Sequence, residues 1–418
     1  MEEIEKKFIY NLCDITEWKE KHTIDYSVIN TKQSGNYVVV QYDKSLLSFA
    51  SPEVRLIRSV ICNDQNEVLS ICPSKSLPYE YFEKEIKYED VIAEEFVDGT
   101  MINVFWDKNL GINGSWEITT RSVVGANISF YKSSCGKEKI PSFREMFLEA
   151  AKLNNLDFEC LNKKYNYSFV LQHPNNRIVV PFIEPQLYLV QVHEIENILE
   201  SVETSTQVQE INIYMIPMEE VKKFKIWENT KIKFPEIYKN FKSYEELRER
   251  FASINTPYNI MGVVLYDKNT LRRTKMRNPV YEYVRRLRGN QSKLQYQYLC
   301  LRKEGKVSEY LNYYPENKKE FSYYRDLVHD FTCGLYKNYI SCYIRKEKPL
   351  NEFSEQFKTH MFKIHQIYIE KLKPNNLYIK NNNIIEYVNS LHPNLLMYSI
   401  NYAFRKRSED IHVEANTS

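Results

Sequence analysis

The spacing of apolar residues along this chain changes character once, at Asn278, and that change limits the fold more than any other feature. Before it, apolar runs are short and end in turn chemistry: Tyr37 to Tyr42, Val54 to Cys62, the turn Asn63-Asp64-Gln65-Asn66, then Val68 to Cys72. Short runs bounded by such clusters predict strands. Further strands are predicted at Met101–Trp106, Ser168–Leu171, Arg177–Phe182, Leu187–Val192 and Gly262–Asp267. Two helices lie among them, each opening on a capping box. Ser142 with Glu145 precedes Met146, Phe147, Ala150 and Ala151, and Ser243 with Glu246 precedes Leu247, Phe251 and Ile254, so side chain and backbone can satisfy each other at both starts.

After Asn278 the period is helical. Pro279 suits a first helical position, Tyr281, Val284 and Leu287 recur at helical spacing, Arg285, Arg286 and Arg288 fall in the last turn, and Gly289 can close it. Phe321, Tyr324, Leu327, Val328, Phe331, Leu335 and Tyr339 keep the spacing of one buried stripe, as do Phe353, Phe357, Met361, Ile364 and Tyr368. The polar tail from Arg405 is expected to fray. The pattern predicts an α+β protein, with residues 1–280 a mixed domain built on antiparallel sheet and residues 281–418 a mostly helical, basic domain.

At 418 residues each of these domains can bury its own core. No apolar run approaches the ~18 residues of a membrane span, and the start, Met-Glu-Glu-Ile-Glu-Lys-Lys, lacks the order of a signal peptide. The eight cysteines form no Cys-x-x-Cys pair and the eight histidines have no metal-ligand spacing, His360 and His365 included. These features predict reduced thiols, a cytoplasmic or nuclear location, no export and no metal site. Residues 271–418 hold 26 Lys+Arg against 15 Asp+Glu, net +11, while residues 1–270 hold 31 against 40, net −9. From charge alone a polyanionic partner and a merely solvated basic surface are equal alternatives.

Residues 92–101 read Ile-Ala-Glu-Glu-Phe-Val-Asp-Gly-Thr-Met. They resemble the nucleophile motif of polynucleotide ligases, Glu-Lys-x-Asp-Gly-Ser/Thr, with Phe96 where the lysine belongs and Asp98 and Gly99 retained. Other segments follow in the same order. Arg58-Ser59-Val60-Ile61-Cys62 and Cys72-Pro73-Ser74-Lys75-Ser76 resemble the family's Arg-Gly strand and Pro-Lys-Phe-Phe-Asn segment. Arg121 falls where a basic residue follows the motif. Phe169 to Val179 resembles Phe-Glu-ϕ-ϕ-x-Pro-x-Asn-Arg-Ile-Val, Met261-Gly262-Val263-Val264 resembles Glu-Gly-ϕ-Val, and Lys275-Met276-Arg277 resembles the closing Lys-x-Lys. Over residues 35–280 the chain thus resembles the RNA ligases of the bacteriophage tRNA-repair type, which are covalent nucleotidyltransferases. The resemblance implies a nucleotidyltransferase core.

The departures fall where that family does its chemistry. A phenyl ring has no lone pair with which to attack the α-phosphate of ATP. The glutamates that help hold sugar and divalent ion in the family are replaced by Val170 and Met261, which offer no oxygen ligand. By the resemblance Phe96, Val170 and Met261 converge on one cleft, whose retained cations are Arg58, Lys75, Arg121, Arg177, Lys275 and Arg277. Lys84, Lys87 and Lys108 are the nearest lysines, and none keeps the motif's spacing; misplacing an attacking atom by ~1 Å costs about a hundredfold. The Asp98-Gly99 pair also has a purely structural reading as an Asp-Gly turn. The expected function is binding of RNA or nucleotide with self-adenylation lost. Two alternatives stay open: an active RNA ligase that uses ATP, Mg and a displaced lysine, and a structural protein whose helical domain binds a protein partner.

Overall fold

The computed structural model describes residues 4–13, 29–45, 57–130, 140–200 and 208–405, and the chain divides into two compact units, Met1–Arg286 and Leu287–Ser418. Residues 54–56 of the strand predicted from Val54 and the tail after Arg405 lie outside the described residues.

The first unit contains β1 (Lys7–Cys13), β2 (Ile29–Ser34), β3 (Tyr37–Tyr42), β4 (Val60–Cys62), β5 (Val68–Ile71), β6 (Val91–Glu95), β7 (Thr100–Asp107), β8 (Ser115–Thr119), β9 (Tyr165–Gln172), β10 (Gln186–Glu200), β11 (Val208–Ile216), β12 (Ile237–Tyr238), β13 (Gly262–Asp267) and β14 (Arg273–Arg277). They form three antiparallel sheets with strand orders β1-β11-β10-β9-β7-β8, β12-β6-β13-β14 and β2-β3-β4-β5. Predicted strands at Tyr37–Tyr42 and Gly262–Asp267 are present with those bounds. Arg177–Phe182 is not a strand. The Val179 and Val180 amides donate to the Asp98 carboxylate, and the Val179 carbonyl accepts from Arg177 Nε, so these groups are taken from any ladder.

Each sheet closes one face. In the six-stranded sheet Ile102, Val104, Tyr167, Phe169, Leu171, Leu187 and Leu189 pack with Met146, Phe147, Ala150 and Ala151 of the helix Phe143–Leu153. That helix opens on the expected capping box between Ser142 and Glu145. At Ser243 the box is half formed: Ser243 Oγ accepts from the Glu246 amide, but the Glu246 carboxylate takes the Lys242 amide instead. In the four-stranded sheet Val91, Ala93, Val263, Leu265 and Met276 pack with Leu77, Phe82, Leu247 and Phe251 from helices Tyr79–Glu85 and Tyr244–Ala252. Strand side chains alternate, so the opposite face of β6, β13 and β14 carries Glu94, Tyr266, Arg273, Lys275 and Arg277.

In the second unit the helix Lys318–Tyr339 buries Phe321, Tyr324, Val328, Phe331, Leu335 and Tyr339, while Leu327 is half-buried. His360 is a core residue: Nδ1 meets Tyr387 Oη and Nε2 meets Ser399 Oγ, both at 2.8 Å, and burial lowers its pKa to about 4. The described cysteines Cys72, Cys160, Cys300, Cys333 and Cys342 are free thiols. Among the described residues no helix is long and apolar enough to cross a membrane.

Candidate functional site

After Glu95 the chain leaves the four-stranded sheet for β7 of the six-stranded one, and Asp98 and Gly99 make the turn. Gly99 has φ +145°, and a Cβ there would lie 2.7 Å from Val170 Cγ1, so the position excludes a side chain. Asp98 is buried. Its carboxylate accepts from the Val180 amide at 3.0 Å, the Val179 amide at 3.3 Å and the Tyr281 hydroxyl at 2.8 Å. Burial pushes its pKa up, and these donors hold it back. Gln172 Nε2 donates to the Asp98 carbonyl at 3.0 Å, and Asn176 Nδ2 donates to Thr100 Oγ1 at 2.7 Å. One carboxylate therefore ties the turn to the 177–182 loop and to the helix Pro279–Arg288, a structural role that requires no reaction.

Phe96, just before this turn, lies under two cations. Lys275 Nζ is 4.3 Å and Arg277 Cζ 5.4 Å from its ring centroid. A cation over an aromatic face gains ~0.5–2 kcal/mol from the ring quadrupole. Around them are further bases fixed by main-chain carbonyls. Arg273 donates to Ser74 O through Nε at 3.0 Å and Nη2 at 2.5 Å, Arg58 to Pro73 O at 3.3 Å, and Arg121 to Arg58 O at 3.3 Å. Lys75 and Arg121 both lie over the Tyr42 ring, at 5.3 and 5.4 Å.

Crowding shows in the acid–base chemistry. Burial first, then Arg273, Arg58, Arg277 and Arg285, hold Lys275 well below the usual lysine range. Lys75 is lowered by burial and then by Lys44, Arg121 and Arg58, and Lys44 is lowered chiefly by Arg121. An acid does reach the edge of the group: Glu282 pairs with Arg277 at 2.7 Å and with Arg285 at 3.3 Å. Such a field favours a phosphate, whose oxygens can accept several charge-assisted hydrogen bonds.

Of the residues expected in the cleft, Arg58, Lys75, Arg121, Lys275 and Arg277 come together. Arg177 Nε donates to Val179 O at 3.0 Å in the loop that holds Asp98. Phe96 and Met261 line one recess of about 390 Å3, whereas Val170 is not part of its lining and sits beneath Gly99. The expected convergence of three apolar side chains is thus met by two. Lys84 and Lys87 are exposed, and Lys108 pairs with Glu67 at 2.7 Å. Lys44, Arg273 and Arg285 were missed. Arg273 was within reach, since it stands two residues before Lys275 on the same strand face; Lys44 carries no local signal. The divalent ion implied by the resemblance does not fit, because Val170 and Met261 replace its carboxylates. Among the described residues no three of His, Cys, Asp and Glu form a metal-binding group.

Over 208 residues the chain is 25% identical to an RNA ligase of Rhodothermus phage RM378, a match covering 46% of this chain. Over that stretch the chain is similar to an RNA ligase. It spans 45% of that relative's length, and the antiparallel α+β core fits an RNA-ligase-type nucleotidyltransferase relationship. Solved structures with some likeness include a putative ATP-dependent DNA ligase of Aquifex aeolicus (TM-score 0.37, 13% identity, 89% of this chain and 85% of that one). An RNA ligase of Naegleria gruberi with PPi gives TM-score 0.33 at 13% identity, over 51% of this chain and 57% of that one. No family model matches the chain.

Proposed function

We propose that this protein binds RNA or a nucleotide through its phosphates, at the cation-crowded face of β14, and that self-adenylation is lost. The observation that carries this reading is the ring of Phe96, which stands in the nucleophile's place in the motif beneath Lys275 and Arg277. A site with three bases on one strand face and Val170 and Met261 in place of carboxylates grips phosphate by direct hydrogen bonds, without a bridging cation. Phosphate binding should also raise the Lys275 pKa, which burial and neighbouring bases lower.

The test is fluorescence anisotropy with a 5′-phosphorylated single-stranded RNA in EDTA, across a salt series. Binding is expected without divalent ions and should fall steeply with salt as counterions are released. Changing Lys75 and Lys275 together to Ala should weaken binding about tenfold or more, if each contributes ~1 kcal/mol as a charged hydrogen bond. Arg177→Ala should change it less. Unaltered affinity in a folded double variant would contradict the reading.

A second reading has one observation in its favour: Lys275 is an amine directed at the Phe96 ring and held below its ordinary pKa. In that reading Lys275 Nζ attacks the α-phosphate of ATP, a phosphorus–nitrogen bond forms, pyrophosphate leaves and the amine proton goes to solvent. The absence of carboxylates at positions 170 and 261 weighs against it.

A further inference from the structure

A second recess lies farther along the same strands. Its volume is about 460 Å3, within the range of small-molecule sites, and Ile92, Glu94 and Tyr266 face Val190, Gln191, Met215 and Ile216 across it. Met218, Tyr238 and Phe241 complete an apolar and aromatic wall.

Two polar groups enter this space without a donor. Gln191 is 8% exposed, and the bulge between Leu189 and Gln191 turns it away from the core that Leu187 and Leu189 join. Its Nε2 donates to Met215 Sδ at 2.7 Å, and its Oε1 has no partner. The Glu94 carboxyl also lines the recess, and among the described residues none gives it a hydrogen bond or an ion pair. Burial raises the Glu94 pKa to about 7, opposed by Lys222 and Arg273. Lys7 and Lys268 stand at the rim but direct their ammonium groups to main-chain oxygens, of Lys268 at 3.5 Å and of Glu89 at 2.6 Å. A buried acceptor left without a donor, as Gln191 Oε1 is, is costly, and the half-buried Glu94 carboxyl lining the same cavity adds a second acceptor, so the recess calls for a ligand rich in N–H.

We propose that this recess binds a small organic cation, an amine or amidine on an apolar body. Its N–H groups donate to Gln191 Oε1 and to the Glu94 carboxylate, and its body packs on Met218, Tyr238 and Phe241. The aromatic walls favour the positive charge as well as the apolar surface. This site is separate from the phosphate-binding reading and does not depend on it.

Three probes of one shape and different charge test it: benzamidine, benzamide and benzoate, titrated into the full chain by calorimetry or ligand-observed NMR. Benzamidine should bind, benzamide should bind at least tenfold more weakly, and benzoate should not bind. Glu94→Gln should weaken benzamidine at least tenfold, with thermal unfolding showing that the variant is folded. If it is not, Gln191→Leu carries the same comparison. No benzamidine binding, equal or tighter binding of benzamide or benzoate, or benzamidine affinity unchanged in the folded variant would overturn the proposal.

Discussion

On one face of β6, β13 and β14, Val91, Ala93, Val263, Leu265 and Met276 are sealed by two helices. On the other face Arg273 finds main-chain carbonyl, Lys275 and Arg277 find a phenyl ring, and Glu94 has no hydrogen bond or ion pair among the described residues. The first face stabilises the unit by burial. The second gathers like charges and unmet acceptors, which cost stability unless a ligand answers them. What separates the two is a single-residue alternation along each strand, so a site and its foundation share the same backbone. Changes that move the backbone should therefore remove both, and changes to side chains on the open face should separate stability from binding.

The largest effect is expected for Gly262→Ala. Gly262 has φ +129°, and a Cβ there would collide with Met276 O, where β13 approaches β14. Chemical denaturation should show a loss of ~3 kcal/mol or more, the range of backbone strain plus a clash. A loss below ~1 kcal/mol would break the claim that this close pairing fixes the cations of β14. Asp98→Ala comes next: Tyr281 Oη and two amides lose their acceptor, for an expected ~2–3 kcal/mol.

Lys275→Met should separate the two faces. It removes a base crowded by Arg273, Arg58, Arg277 and Arg285 while leaving a side chain to pack on Phe96. Stability should rise by ~1 kcal/mol as RNA affinity falls several-fold. A variant that loses both would mean that Lys275 belongs to the foundation. A further prediction concerns pH. Glu94 in the folded protein titrates at about 7 rather than 4.5. Between those values the native state keeps a proton that the unfolded chain releases, so this contribution to stability is present below the window and lost as pH rises through it. Stability of Glu94→Gln should vary less across pH 5 to 8 than that of the parent; parallel curves would put Glu94 in solvent.

Much of the β framework was legible because turn residues bound each run: Tyr37–Tyr42 and Gly262–Asp267 match their strands. Arg177–Phe182 misled because its apolar residues resemble a strand, while its amides are claimed by Asp98, distant in sequence. Motif order picked out Arg58, Lys75, Arg121, Lys275 and Arg277, which the fold brings near one another. Net charge gave no sign of this cluster. Residues 1–286 hold 37 Lys+Arg against 41 Asp+Glu, yet the described cation cluster spans Lys44 to Arg285 within them. Summed charge counts residues, whereas a field depends on where strands place them.

Incubation of the purified chain with α-labelled ATP or GTP, in magnesium or manganese, tests most directly whether binding has replaced reaction at Phe96. No labelled band should survive denaturation, and Phe96→Lys alone should restore no turnover, because Val170 and Met261 still offer no carboxylate. A band that survives in the parent chain and disappears in Lys275→Ala would contradict the loss of adenylation and make the amine above the Phe96 ring a nucleophile.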